Sequence, residues 1–320
     1  GCHTVCLSSS GNNAASISAY GSRAGLRPVV FVQKQVSAAK ISKSLVYGGT
    51  VIRIDGDMAA ASRICKEMVQ EKGWYQCGGP NPYRVAGKRT FAYGIVQQLG
   101  RAPDTILIPC GGGAGMVAAF DGFSEMLAAG IIDHMPRIVG VQLTACNPIA
   151  TAFREGKDTV VPIEKKPSLS DAIMNNNPHW GKYCLQAARS TGGTMLEVSD
   201  EDFVRTIREL GRTEGIFVEP AGAVTVAALD KLIRTPGFEQ PGVTVCNLTG
   251  HGLNAPQVAT REDEYPDVVA PTVEAVEARL QTDLTLRIKE ISNAGNISVR
   301  RQQGTYCDGY DHKGTQRRLV

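Results

Sequence analysis

The sequence predicts an α/β protein made of two open parallel-sheet domains with helices on both faces. Three observations carry this. Short apolar runs rich in β-branched residues alternate with stretches of helical period from the first residues to about position 250. Glycine-bearing turns follow three of those runs, at Ser10-Gly11-Asn12, Gly111–Gly115 and Thr249-Gly250-His251-Gly252. The 320 residues are enough for two domains sharing a cleft. Strands alternating with helices at this spacing imply parallel pairing through right-handed crossovers.

Taken in order, Thr4–Leu7 reads as the first strand and Ser8–Asn13 as a polar turn. Ala14–Ala24 is a helix with Ala, Ile and Tyr on one side; Gly25 stops it before a strand at Pro28–Val32. The unit repeats with a helix at Ala38–Leu45, a break at Gly48-Gly49 and a strand at Thr50–Ile54. A helix with an acidic start follows at Asp57–Glu71, then a fourth strand at Trp74–Cys77. Gly78–Gly87, dense in glycine and proline, marks the boundary between a smaller domain (1–84) and a larger one (85–287). Beyond it come a helix at Arg89–Leu99, a strand at Thr105–Ile108 with its glycine turn, and a helix over Val117–Met126. Arg137–Gln142 is a strand, Asn147–Glu155 a helix and Lys157–Leu169 a charged, proline-bearing loop. Trp180–Ser190 and Asp200–Glu214 are helices, the second capped by Ser199 or Asp200. Ile216–Val218 is a short buried run, Ala221–Leu232 a helix and Val243–Leu248 a strand. Val273, Val276, Leu280 and Leu284 recur at helical spacing within Pro271–Arg287. Residues 288–320, polar and without period, read as a disordered tail.

With 42% hydrophobic and 20% charged residues, the chain reads as a soluble globular protein. Its net charge of +3 is matched by the excess of Arg and Lys after Gly295, so the body is near neutral. That excludes nucleic acid and acidic membranes as partners. Nine cysteines, odd in number and without a CxxC pair, read as reduced thiols rather than a disulfide frame or zinc site. No apolar run reaches the ~20 residues that span a bilayer, and no signal-peptide layout is visible. A cytoplasmic location is the expectation. The chain opens abruptly in a strand, so a preceding segment is also expected.

The richest stretch is Thr105–Met116, TILIPCGGGAGM. A strand feeding a glycine turn and a helix start can cradle a phosphate, because glycine admits an anion close to the backbone N–H groups. A tight turn needing small residues for packing fits equally well. The stretch matches neither G-x-G-x-x-G nor the Walker pattern. No acidic residue follows at the end of the next strand to hold a ribose; Gln142 and Thr144 stand there. A lone phosphate therefore suits it better than a dinucleotide. The three turns together offer an amide, an anion nest and a hydroxyl beyond strand ends, which suits a flat polar ring carrying a phosphate.

The segments SSSGNNAASISAYGSRAGL, NPYRVAGKRT, the glycine loop, PRIVGVQ, EGIFVEPAGAVTVAAL and LTGHGL give the chain its family likeness. From about Thr4 to Asn254 it resembles the pyridoxal-phosphate enzymes of the tryptophan-synthase-β fold (fold type II), and most of all the threonine synthases. The resemblance implies pyridoxal 5'-phosphate as cofactor. Asn12 would bond the phenolic oxygen of its ring, Gly111, Gly112, Gly113, Ala114 and Gly115 would hold its phosphate, and Thr249 would face the pyridine nitrogen. Ser9, Ser10, Asn12 and Asn13 would hold the substrate carboxylate, and Arg84 the substrate's own phosphate. It further implies a lyase of amino-acid biosynthesis, a phosphorylated amino-acid substrate and a homodimer.

Departures from the family narrow what it implies. The Schiff-base lysine of the family precedes the Ser-Gly-Asn turn, whereas the first lysine here is Lys34. The chain as given is thus expected to lack its catalytic lysine and to be inactive; Lys88 reads as structural. Asn13, Gly79 and the Gly-Gly-Gly-Ala-Gly loop differ from the usual threonine synthase pattern, which keeps cysteate synthase and amino-acid ammonia-lyases open. A non-catalytic cofactor-binding protein is the alternative of another class. Glu219 reads as a structural carboxylate at a helix start that could border the ring. His251 reads as a hydrogen-bonding turn residue, Cys110 as a small buried hydrophobe and Asn175–Asn177 as a polar turn.

Overall fold

The computed structural model describes residues 1–234, 242–260 and 264–282. Among the described residues its strands form two four-stranded sheets in which all six strand pairings are parallel. The first contains β1 (Thr4–Ser8), β2 (Arg27–Gln33), β3 (Thr50–Ile54) and β4 (Tyr75–Gln76), in the order β3-β2-β1-β4. Its connections are α1 (Asn12–Arg23), α2 (Ala38–Val46) and α3 (Met58–Lys72). Two helices follow, α4 (Pro82–Lys88) and α5 (Thr90–Leu99).

The second sheet contains β5 (Thr105–Pro109), β6 (Arg137–Leu143), β7 (Met195–Val198) and β8 (Thr244–Cys246), in the order β7-β6-β5-β8. Between its strands run α6 (Ala114–Ala128), α7 (Pro148–Arg154), α8 (Gly181–Ser190), α9 (Asp200–Thr213) and α10 (Pro220–Ile233). A 3-10 turn at Gly252–Asn254 and the short α11 (Pro256–Ala259) follow β8.

Alternation along the strands gives each sheet two buried faces. In the first, Cys6, Val29 and Phe31 pack on Ala61 and Cys65 of α3, while Leu7, Val30 and Val32 share the opposite face with Ala14 of α1. In the second, Ile106, Ile108 and Ile138 meet Phe123 of α6 and Leu185 of α8. Leu107, Val139 and Val141 meet Phe203 of α9 and Val224 of α10. Helix caps follow local chemistry. The Asp57 side chain accepts from the Ala60 N–H, and Ser199 and Asp202 form a reciprocal capping box on α9.

Three local readings of the sequence are corrected or extended. The Gly78–Gly87 stretch is not all loop: Asn81 caps α4 by accepting from the Tyr83 N–H at 2.9 Å, and Pro82 sits in its first turn. Strand β7 is an addition to the elements expected from sequence: it is an edge strand of only four residues, its apolar Met195, Leu196 and Val198 interrupted by the ion-paired Glu197. The Ile216–Val218 run is buried only at its end: Ile216 is exposed, Phe217 half-buried and Val218 buried, with Val218 making an isolated antiparallel bridge to His251. The chain divides after Ala259, and the described residues beyond it are taken by themselves; among them 273–282 are helical. The rest of the expected helix and the 288–320 tail lie outside the described residues. Among the described residues no helix is long and apolar enough to cross a membrane.

Phe123 is fully buried in the α6 face of the larger sheet. Phe123→Ala is expected to lower unfolding free energy by about 3–5 kcal/mol, read from urea denaturation. Tyr20→Ala, at a side chain 77% exposed, is expected to change it by under ~0.5 kcal/mol.

Candidate active site

Parallel strands end on the same edge, so the turns that follow them are neighbours before any side chain is considered. In the larger sheet Leu107 stands opposite Cys246, and the Asn247 N–H donates to the Leu107 carbonyl at 3.0 Å. Thr249 follows β8 by three residues, and the glycine turn follows the neighbouring β5, so both leave the same edge of the sheet.

The turn itself is built for close approach. Gly113 takes φ +91°, in the left-handed region, and a Cβ there would stand 2.5 Å from Cys184 Sγ and 3.0 Å from Trp180 Cβ. A Cβ on Gly111 would meet the Ile173 backbone at 3.0 Å. Buried Gln142 supports the turn from below: its Nε2 donates to the Cys110 carbonyl at 3.1 Å. Its Oε1 accepts from the Ile149 and Ala150 N–H groups, 2.9 Å each, at the start of α7. Among the described residues, the backbone N–H groups of Gly111, Gly112, Gly113, Ala114 and Gly115 donate to no protein acceptor, and no side chain caps α6. A row of N–H donors at the start of a fifteen-residue helix, floored by glycine, is chemically suited to a phosphate.

In the smaller sheet β1 leads into Ser9, Ser10 and Gly11, and α1 begins at Asn12. The Ser9 hydroxyl accepts from the Gly11 N–H at 3.3 Å, and the Ser9 N–H donates to the Phe31 carbonyl at 3.2 Å. Asn13 lies in the first turn of α1, and no side chain caps that helix. The Asn12 Nδ2 donates to Glu219 Oε2 at 2.9 Å. Glu219 is 6% exposed, and its own N–H donates to the Gly250 carbonyl at 3.2 Å. Asn12, Glu219 and the Thr249-Gly250 corner are thus in direct contact, next to the strand end that carries the glycine turn.

Arg84 lies on α4 beside Val85, which is buried in the same core cluster as Ala114, Met116 and Val117. Burial pulls the Arg84 pKa down; burial, then the neighbouring Arg84 charge, does the same to Lys88. Among the described residues no carboxylate pairs with either cation. Lys88 shares a face with Arg84, one helical turn away.

Sequence reasoning under-read Glu219. It does precede α10, but its carboxylate does not cap that helix; it accepts from Asn12 and, at 2.8 Å, from the Asn254 Nδ2. The available signal was an acidic residue fixed by Pro220 at the end of an apolar run. His251 is a turn residue as expected: its Nδ1 accepts from the Leu253 N–H at 3.1 Å and its ring packs edge-on against Phe217. Cys110 is buried, 3.9 Å from Cys184 Sγ. The Cys184 pKa is raised by its hydrogen bond with Cys110 and by burial. Among the described residues no group of three His, Cys, Asp or Glu converges to hold a metal.

A family model described as pyridoxal-phosphate dependent enzyme matches residues 1–250. The chain belongs to that family. It is 35% identical over 268 residues to the threonine synthase of Methanocaldococcus jannaschii, covering 83% of this chain and 66% of that protein. The threonine synthase of Methanosarcina acetivorans is 34% identical over 278 residues, covering 86% and 69%. The chain therefore spans about two thirds of the length of these relatives. Among solved structures, the processed form of threonine deaminase isoform 2 from Solanum lycopersicum superposes with a TM-score of 0.67 at 17% identity, covering 82% of this chain and 74% of that one. Maize serine racemase gives 0.67 at 20% identity, covering 78% and 73%. At those identities the likeness concerns the fold, which is that of the fold type II pyridoxal-phosphate enzymes.

The cofactor of the family is pyridoxal phosphate, and the glycine turn fits its phosphate: N–H donors without protein acceptors stand where glycine leaves room. Gly113→Ala must place a side chain against Cys184 and leave the left-handed region. The variant is expected to weaken pyridoxal phosphate binding by about tenfold or more, read by absorbance titration, with far-UV circular dichroism unchanged.

Proposed function

We propose that the chain is the cofactor- and substrate-binding part of a threonine-synthase-type lyase, which converts O-phosphohomoserine and water to threonine and phosphate. The observation that carries this reading is the presence of two anion seats: the row of N–H donors at 111–115, and the Arg84 and Lys88 cations, which no carboxylate pairs with among the described residues. One seat suits the cofactor's phosphate and the other a phosphate on the substrate. A family member acting on an unphosphorylated amino acid needs only the first. Identities of 35% and 34% to proteins named threonine synthase support the same choice.

Pyridoxal phosphate, when bound, supplies an electron sink for breaking bonds at the α-carbon of an amino acid. The chain's own residues do the rest. Asn12 presents its carboxamide to the phenolic oxygen of the ring. Thr249 offers a hydroxyl to the ring nitrogen; unlike a carboxylate, it leaves that nitrogen unprotonated, which limits electron withdrawal and suits elimination and replacement. Ser9, Ser10 and Asn13 hold the substrate carboxylate at the start of α1, where N–H groups and the helix dipole favour an anion. Arg84 fixes the leaving phosphate and disperses the charge that grows on it as its bond breaks. No lysine of this chain is assigned the link to the cofactor, so the chain alone is proposed to bind without turnover. The complete enzyme is proposed to be a cytoplasmic homodimer.

The test is phosphate release by the full product of the gene. O-phosphohomoserine is expected to be the substrate, and Arg84→Gln is expected to raise KM by about tenfold through loss of a bidentate pair. Phosphate release from phosphoserine with sulfite, and none from O-phosphohomoserine, would instead assign cysteate synthase. Specificity for an unphosphorylated amino acid would remove the role given to Arg84.

A further inference from the structure

The residue that joins the two sheets at the site is one that the sequence reading left as a helix-start carboxylate. Glu219 is buried on the loop before α10, and a single oxygen, Oε2, accepts from the carboxamides of both Asn12, at 2.9 Å, and Asn254, at 2.8 Å. A Cβ at Gly250 would stand 2.1 Å from the Glu219 carboxyl carbon, a clash that keeps this position glycine. Asn254 Oδ1 in turn accepts from Lys43 Nζ on α2. A chain of polar contacts thus runs from α2 through Asn254 and Glu219 to Asn12. A carboxylate has only acceptors, so it dictates which end of each carboxamide faces it. With Nδ2 of Asn12 held by Glu219, the carboxamide cannot flip without setting its oxygen against the carboxylate.

We infer that Glu219 is a positioning residue. It locks the orientation of Asn12, so that the second N–H of Asn12 Nδ2 is the group presented to the cofactor ring, and it draws on Asn254 and Lys43 to hold itself in place. The inference rests on the role proposed above for Asn12. Burial of the Glu219 carboxylate makes the arrangement effective: a buried charge left without its donors costs more than one in water, so it holds the carboxamides that reach it. Glutamine at 219 keeps the size and loses this control. It presents both a donor and an acceptor, so either orientation of the Asn12 carboxamide can be satisfied.

The experiment uses the 320-residue chain, titrated with pyridoxal phosphate and separately with inorganic phosphate, in the wild type and in Glu219→Gln, Glu219→Asp, Asn12→Ala and the Asn12→Ala/Glu219→Gln double variant. Expected results are a roughly tenfold loss of cofactor affinity in Glu219→Gln with a displaced absorption band, and an equal loss in Asn12→Ala. The double variant should lose no more than either single one, because both act through one contact. Inorganic phosphate should bind all of them alike, and Glu219→Asp, which keeps the charge, should restore the wild-type band. An unchanged band and affinity in Glu219→Gln, or losses that simply add in the double variant, would overturn the inference while leaving the proposed cofactor site intact. A wild-type chain that takes up no pyridoxal phosphate overturns both. Should Glu219→Gln fail to fold, Asn254→Ala supplies the same measurement: removing one of the two donors should displace the band in the same direction, and an unmoved band counts against the inference.

Discussion

Five consecutive N–H groups at residues 111–115, without a protein acceptor among the described residues, are the feature around which the edge of the larger sheet is arranged. Leaving backbone donors unmade inside a protein costs free energy, and native chains seldom tolerate it without reason. Here the surroundings hold the turn open instead of letting it collapse into ordinary helix geometry. Gln142 fixes the carbonyl that enters it, Ile173 and Trp180 pack against its back, and Gly113 turns it in a conformation that residues with a side chain rarely adopt. The neighbouring strands β5 and β8 lead into the glycine turn and Thr249 at the same edge of the sheet. Parallel topology makes this economical, since one edge collects every turn.

The smaller sheet contributes through contacts of unequal strength. Lys40 on α2 pairs with Asp171 at 2.7 Å, but the two side chains are 43% and 80% exposed, so the pair contributes little in water. In the Asn12–Glu219–Asn254 arrangement the Glu219 carboxylate is buried although Asn12 is exposed, and removing either carboxamide leaves that carboxylate short of a donor. Bringing the Ser-Gly-Asn turn to the larger sheet therefore depends on Glu219 far more than on the surface lysine. Among the described residues no side chain caps α1, while its Ala14 and Ala15 N–H groups donate to the Gly11 carbonyl.

Much of this was legible in the chain because glycine, β-branched runs and caps act locally. Thr50–Ile54 is a strand with the bounds its residues suggest, and Asp57 and Ser199 cap the helices they precede. What escaped was set by partners distant in sequence. Strand β7 exists because β6 offers a free edge, which Met195–Val198 could not announce alone. Helix α4 starts inside a glycine- and proline-rich stretch because Asn81 caps it and Pro82 suits a first turn, a signal outweighed by Gly78, Gly79 and Pro80 just before. Glu219 reads from sequence as a helix-start carboxylate, which it is, but its partners were not legible. Its donors are 207 and 35 residues away, so nothing near it in sequence distinguishes a carboxylate that caps from one that orients.

The thiols sharpen what kind of chemistry the site can host. A cysteine acts as a nucleophile only as thiolate, and burial here opposes that form: the Cys246 thiol is pushed up to about 12, and Cys146 is raised by the same cause. Cys184, beneath the glycine turn, gives its S–H to the Gly113 carbonyl at 3.5 Å, so it serves the turn's packing. His251 is committed to a backbone N–H, and the Glu219 carboxylate to two carboxamides. The polar groups at this edge are thus occupied in holding one another rather than poised to attack a substrate. An edge of that kind orients a reactive group brought from outside the polypeptide, which is what a family built on pyridoxal phosphate requires of its fold.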